Sequence, residues 1–169
     1  MKNIKYFALG IILAAVAMFA KAAALTDYGE NKTIDALLRG QTISTPANWY
    51  VALFTTTCTD AGPGTEVSTS GTAYGRQTVV ASLANWAGTQ SAGSTVASSG
   101  TGGTTSNNSA ITWSASTAAW GTVSSVGWMD ATTAGNRWIC IDLTAPLNVS
   151  GAGFTVSFAA GQLTFQIDN

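Results

Sequence analysis

The stretch Asn48-Trp49-Tyr50-Val51-Ala52-Leu53-Phe54-Thr55 decides how this chain folds. It alternates with period two, yet both alternating sets are apolar: Trp49, Val51 and Leu53 on one side, Tyr50, Ala52 and Phe54 on the other. A strand of that kind is buried on both faces, so it belongs inside a sheet that is covered above and below. The same grammar continues outward. Short runs of β-branched and aromatic residues recur near Gly75–Leu83, Ala110–Trp113, Gly121–Met129, Arg137–Leu143, Phe154–Phe158 and Leu163–Ile167. Turn signals stand at Gly62-Pro63-Gly64, Thr133–Asn136 and Val149–Gly153. The expected fold is mainly β: an antiparallel β-sandwich or barrel-like body over residues 41–169, preceded by an N-terminal α-helix.

Composition narrows the chemistry. The 169 residues make one modest domain, and only 9% of them are charged. Seven basic residues against eight acidic ones leave no cationic footprint for a nucleic-acid backbone. The absence of His excludes His-based triads and HExxH metal sites. There is no clustered acid pair, no phosphate-cradling Gly loop before a helix and no metal-ligand spacing, so neither an enzyme nor a cofactor is expected.

The N-terminal end has a different character. Residues 1–22 carry Lys2 and Lys5, an apolar run from Tyr6 to Phe19, and small residues Ala20 and Ala22 before Ala23, the layout of a signal peptide. Two other readings fit: an uncleaved hydrophobic arm that contacts a membrane or packs in an assembly, and a start codon set too far upstream. Loss of these residues would leave four basic and eight acidic residues, a net charge of −4. Residues 23–40 read as one amphipathic helix. Leu25, Tyr28, Leu37 and Leu38 form its apolar stripe, the candidate assembly face; Thr26 or Asp27 caps its start and Gly40 its end. Asp27 and Glu30 in the first turn complement the helix dipole.

Residues 87–108 are a Gly/Ser/Thr/Ala tract with one large apolar residue, Val96, and read as an exposed loop in preference to a peripheral polar strand pair. Of the six tryptophans, Trp49, Trp113, Trp120, Trp128 and Trp138 lie in or beside expected strands and read as core. Trp86, beside the tract, is the candidate ligand contact, for example to a host surface glycan. Glu66 and Arg76 are expected to form a structural ion pair. Cys58 and Cys140 are compatible with one disulfide, and two buried thiols fit the count equally well.

Seven segments in order then carry a resemblance: Leu25-Thr26-Asp27-Tyr28-Gly29-Glu30-Asn31, Leu37-Leu38-Arg39-Gly40, Trp49 to Thr55, Gly64-Thr65-Glu66-Val67, Tyr74-Gly75-Arg76-Gln77, Trp120-Gly121-Thr122-Val123 and Asp130-Ala131. This series resembles a family of tailed-phage virion proteins of tail-fibre or head-decoration type. The resemblance implies a structural virion component without enzymatic activity, oligomeric and in contact with other virion proteins. The leader at residues 1–22 departs from that pattern. It motivates the competing reading, an exported periplasmic or surface module that binds a glycan or protein through aromatic side chains.

Overall fold

The computed structural model describes residues 24–167; the leader reading falls on residues outside them. Ten elements follow one another: β1 (Ala24–Leu25), α1 (Asp27–Leu38), β2 (Asn48–Phe54), β3 (Gln77–Val80), β4 (Thr104–Ser106), β5 (Ile111–Thr112), β6 (Gly121–Met129), β7 (Arg137–Val149), β8 (Ser157–Phe158) and β9 (Thr164–Gln166). The protein is mainly β, and every strand pairing is antiparallel. A five-stranded sheet in the order β1-β7-β6-β2-β3 is accompanied by two two-stranded ribbons, β4-β9 and β5-β8. The deciding stretch, β2, lies between β6 and β3, as a strand apolar on both faces requires.

The two faces of the sheet are covered differently. Val51 and Leu53 of β2, Val126 and Trp128 of β6, and Ile141 and Leu143 of β7 share a core with Trp113, Val156, Phe158, Leu163 and Phe165 of the ribbons and their flanks. That makes the ribbons the second layer of a sandwich. On the opposite face Ala52, Phe54 and Met129 form a smaller cluster, and the segment 55–64 lies across it as a strap. Gly127 makes this possible. A Cβ there would stand 2.8 Å from the Phe54 ring and 2.9 Å from Arg137 Cδ, so its bare backbone lets the Arg137 stem and the Phe54 ring meet. The Cys58–Cys140 disulfide, with Cα atoms 5.8 Å apart, ties this strap to β7. It closes a sequence separation of 82 residues.

Two boundaries differ from the sequence reading. The helix begins at Asp27 and not at residue 23, because Ala24 and Leu25 pair with Cys140 and Ile139 at the edge of the sheet. Thr26, extended at φ −78 and ψ 164, is the N-cap, and Gly40 at φ 67 takes the left-handed position beyond the helix. The tract 87–108 is not a loop throughout. Thr104–Ser106 pairs with β9, Trp86 bridges Asn107, and Ala87, Ser106 and Asn107 are buried. Hydrophobic content underestimates this segment because polar side chains order it. Gln90 donates to Ser94 Oγ at 2.6 Å and to Ala97 O, and accepts from Ser99 N–H at 3.0 Å.

Candidate functional site

Three places merit a functional reading: the helix α1, the Glu66–Arg76 network, and the aromatic cleft at Trp86. Each is built from residues singled out in the sequence.

At α1 the expected stripe divides. Leu25 lies in β1 and packs against the main core, while Tyr28 meets the Trp138 ring edge-on at 5.2 Å. Both therefore serve the attachment of the helix to its own body. Trp138 is placed for this by a bulge: Trp128 pairs with Ile139 and Met129 with Arg137, leaving Trp138 unmatched between them. Its carbonyl accepts from Thr26 N–H at 3.0 Å, and the Thr26 hydroxyl donates to the carbonyls of Arg137 and Trp138. Leu37 and Leu38 behave differently. They are 77% and 82% exposed, and Ile34 beside them is 50% exposed, so the far end of α1 presents an apolar surface to solvent. The Asp35–Arg39 pair beside it is also exposed and adds little to stability.

Glu66 and Arg76 meet as a bidentate pair, with Nε to Oε1 at 2.9 Å and Nη2 to Oε2 at 2.7 Å. Arg76 also donates through Nη1 to the carbonyls of Ala131 and Ala134, at 2.5 and 2.8 Å. A single guanidinium thus locks the 66–76 excursion to the turn between β6 and β7. Tyr74 extends the network inward. Its hydroxyl donates to Glu66 Oε1 at 2.9 Å and accepts from the wholly buried Leu53 N–H at 2.8 Å. Burial pushes the Tyr74 phenol well above its usual range, and the hydrogen bonds that Arg76 donates to Glu66 raise the Arg76 pKa against the opposing effect of desolvation. Both shifts keep the proton on the Tyr74 phenol and on the Arg76 guanidinium, which suits a scaffold. Tyr74→Phe is expected to cost about 1.5 kcal/mol, because the Leu53 N–H would lose its acceptor inside the sheet. Urea unfolding with an unchanged m-value checks this.

The turn itself is fixed by Asp130, which accepts from Asn136 N–H at 2.7 Å, from Asn136 Nδ2 at 2.9 Å and from Trp138 Nε1 at 3.2 Å. Desolvation alone would raise the Asp130 pKa, but the hydrogen bonds from Asn136 and Trp138 together hold it below the usual carboxylate value. A depressed carboxylate stabilises the fold above its unfolded pKa and loses that contribution as pH falls through the folded one. Acid titration of the Tm is therefore expected to show a loss below about pH 4 that is smaller in Asp130→Asn.

Trp86 packs against Trp128 at 5.9 Å between ring centroids and is partly buried. With Trp49, Trp128, Ile139, Leu163 and Phe165 it lines a cleft of about 110 Å³ between the sheet and the β4-β9 ribbon. It is thus not a free aromatic platform. Among the described residues no group of three or more His, Cys, Asp or Glu side chains could hold a metal ion, and no helix is long and apolar enough to cross a membrane.

Two structural residues escaped the sequence reading. Asn107, 1% exposed, donates through Nδ2 to the carbonyls of Ser109 and Ala159 and accepts at Oδ1 from Leu163 N–H. Arg137, 5% exposed, donates through Nη2 to the carbonyls of Thr59 and Gly62 and lies over the Phe54 ring at 5.1 Å. Burial lowers the Arg137 pKa, partly offset by Asp60. Asn107 lies within a Gly/Ser tract and carried no signal; Arg137 at the head of an expected strand was a weak one.

No curated protein matches the chain. A family model does, over residues 24–166, and its description is Podophage GP4 fiber I protein gp80. The match spans the whole ordered series of segments from β1 to β9, so the chain belongs to this podophage fibre family.

Proposed function

We propose that the protein is a non-enzymatic component of the phage tail fibre, homo-oligomeric, and held to its virion neighbours through the far end of α1. The carrying observation is the exposure of Leu37 and Leu38, with Ile34, on a helix whose other contacts already fix it to the body. An apolar surface of this kind on a small β domain costs solubility unless a partner covers it. Membership in a phage fibre family supports a place in the virion among other virion proteins, and gives no support to the exported, periplasmic alternative. The Glu66–Arg76–Tyr74 network supports the same reading, since it is built for rigidity.

Leu37→Asp tests it. This side chain touches solvent in the free chain, so the unfolding free energy is expected to stay within about 0.5 kcal/mol of the parent. Incorporation into particles, measured by complementing a deletion phage and blotting gradient-purified virions, is expected to fall at least tenfold. Normal incorporation of the folded variant would overturn the docking role of α1.

A further inference from the structure

The strap at residues 55–64 carries a feature that structural membership in a fibre does not require: it is anchored twice over. Noncovalent bonds come first. Ser125 Oγ donates to Thr56 O at 2.7 Å, Cys58 N–H donates to Asp142 Oδ1 at 2.7 Å, and Arg137 Nη2 donates to both Thr59 O and Gly62 O at 2.8 Å. These bonds grip the strap on both sides of Cys58 and would hold it in place if the sulfurs were separate. The second anchor is the disulfide itself, and its two ends are unequal. Cys140 is 3% exposed within β7, between β1 and β6, whereas Cys58 sits partly exposed on the strap. The sequence contains no other cysteine with which either could mispair.

We infer that Cys58–Cys140 is a redox-closed lock: the domain folds with both thiols reduced, and the bond forms when the folded protein meets a disulfide oxidant. The inference rests on the virion reading for its setting, since a fibre protein is built in a reducing cytosol and works outside the cell. Prealignment by the strap makes closure a local event that needs no refolding. With oxidised glutathione as oxidant, the accessible Cys58 thiolate attacks one glutathione sulfur, the glutathione S–S bond breaks, and one glutathione thiolate leaves. Cys140 then attacks Cys58 Sγ and expels the second glutathione, which takes up the remaining proton. Two protein thiols are oxidised and one glutathione disulfide is reduced to two thiols. Closing a loop of this length restricts the unfolded chain enough to raise the folding equilibrium constant on the order of a thousandfold.

The test uses the full chain made in a reducing bacterial cytosol and trapped with N-ethylmaleimide at lysis. Intact mass is expected to show Cys58 alkylated under native conditions and Cys140 alkylated only after denaturant is added. A sample reduced but not alkylated is expected to keep its near-ultraviolet circular dichroism, and added oxidised glutathione to convert it to the disulfide with a higher urea midpoint. Cys140→Ala is expected to accumulate a mixed disulfide at Cys58, and Cys58→Ser to form almost none at Cys140. A chain already bonded at lysis, a reduced chain without tertiary signal, or equal glutathionylation of the two single variants would each overturn the lock. Absence of the protein from purified particles, with the thiols behaving as described, would instead count against the virion reading and leave the lock standing.

Discussion

Asn107→Asp is expected to destabilise the domain by about 3–5 kcal/mol. The substitution keeps size and shape but replaces the Nδ2 donor by an oxygen. In the parent that nitrogen, buried at 1% exposure, donates at 2.8 Å to Ser109 O and at 2.9 Å to Ala159 O. A carboxylate there would point oxygen at two carbonyl oxygens and bury a charge with one donor, Leu163 N–H, to receive it. The backbone of Asn107 also accepts from Gly161 N–H at 2.7 Å and donates to Leu163 O at 3.2 Å, so the segment leading into β9 hangs on this residue. Loss of the β4-β9 ribbon would uncover Leu163 and Phe165, which are expected to appear as dye-binding apolar surface in mild urea. Asn107→Ala should cost less, because it deletes bonds without adding repulsion. If the Asp variant melts with the parent, the polar pin is not what holds the second layer.

Gly29→Ala separates two principles that point in opposite directions. Gly29 lies inside α1, where replacement by Ala ordinarily gains about 1 kcal/mol of helix propensity. Here a Cβ would stand 2.5 Å from Trp138 O and 3.2 Å from Leu25 Cδ2. The first of these is backbone of the bulge that carries the helix and cannot swing aside. Steric overlap of that size outweighs propensity, and a net loss of about 3 kcal/mol is expected, with α1 pushed off β7. The local signature is the Trp138 environment, since Tyr28 would leave the indole ring. Tryptophan fluorescence and hydrogen exchange at β1 and α1 should report detachment before global unfolding. A stabilised Gly29→Ala protein would show that the helix is loosely seated and that propensity dominates.

Strands β2, β3, β6 and β7 were legible because period-two patterning and turn residues are local signals. The alternation of β2 even indicated its interior place in the sheet. β4 was not legible: Thr104-Thr105-Ser106 is polar, and its order comes from pairing with β9 some sixty residues later and from Asn107, not from its own composition. β1 was absorbed into the helix because Ala and Leu favour helices, whereas sheet pairing at Cys140 and Ile139 overrides that preference. The same override turned Leu25 and Tyr28 inward and left Leu37 and Leu38 outside, a division that helical spacing cannot make. The Glu66–Arg76 contact could be read from charge scarcity, but its third partner, the carbonyls of the β6-β7 turn, required the fold.

Immunogold electron microscopy of gradient-purified particles, with antibody raised against residues 24–167, locates the chain within the virion. A chain built into the phage fibre is expected to give label along the tail fibres, lost when Leu37→Asp replaces the parent chain. Label confined to the head, or particles free of the protein while it accumulates in the exported fraction, would overturn its proposed place in the fibre.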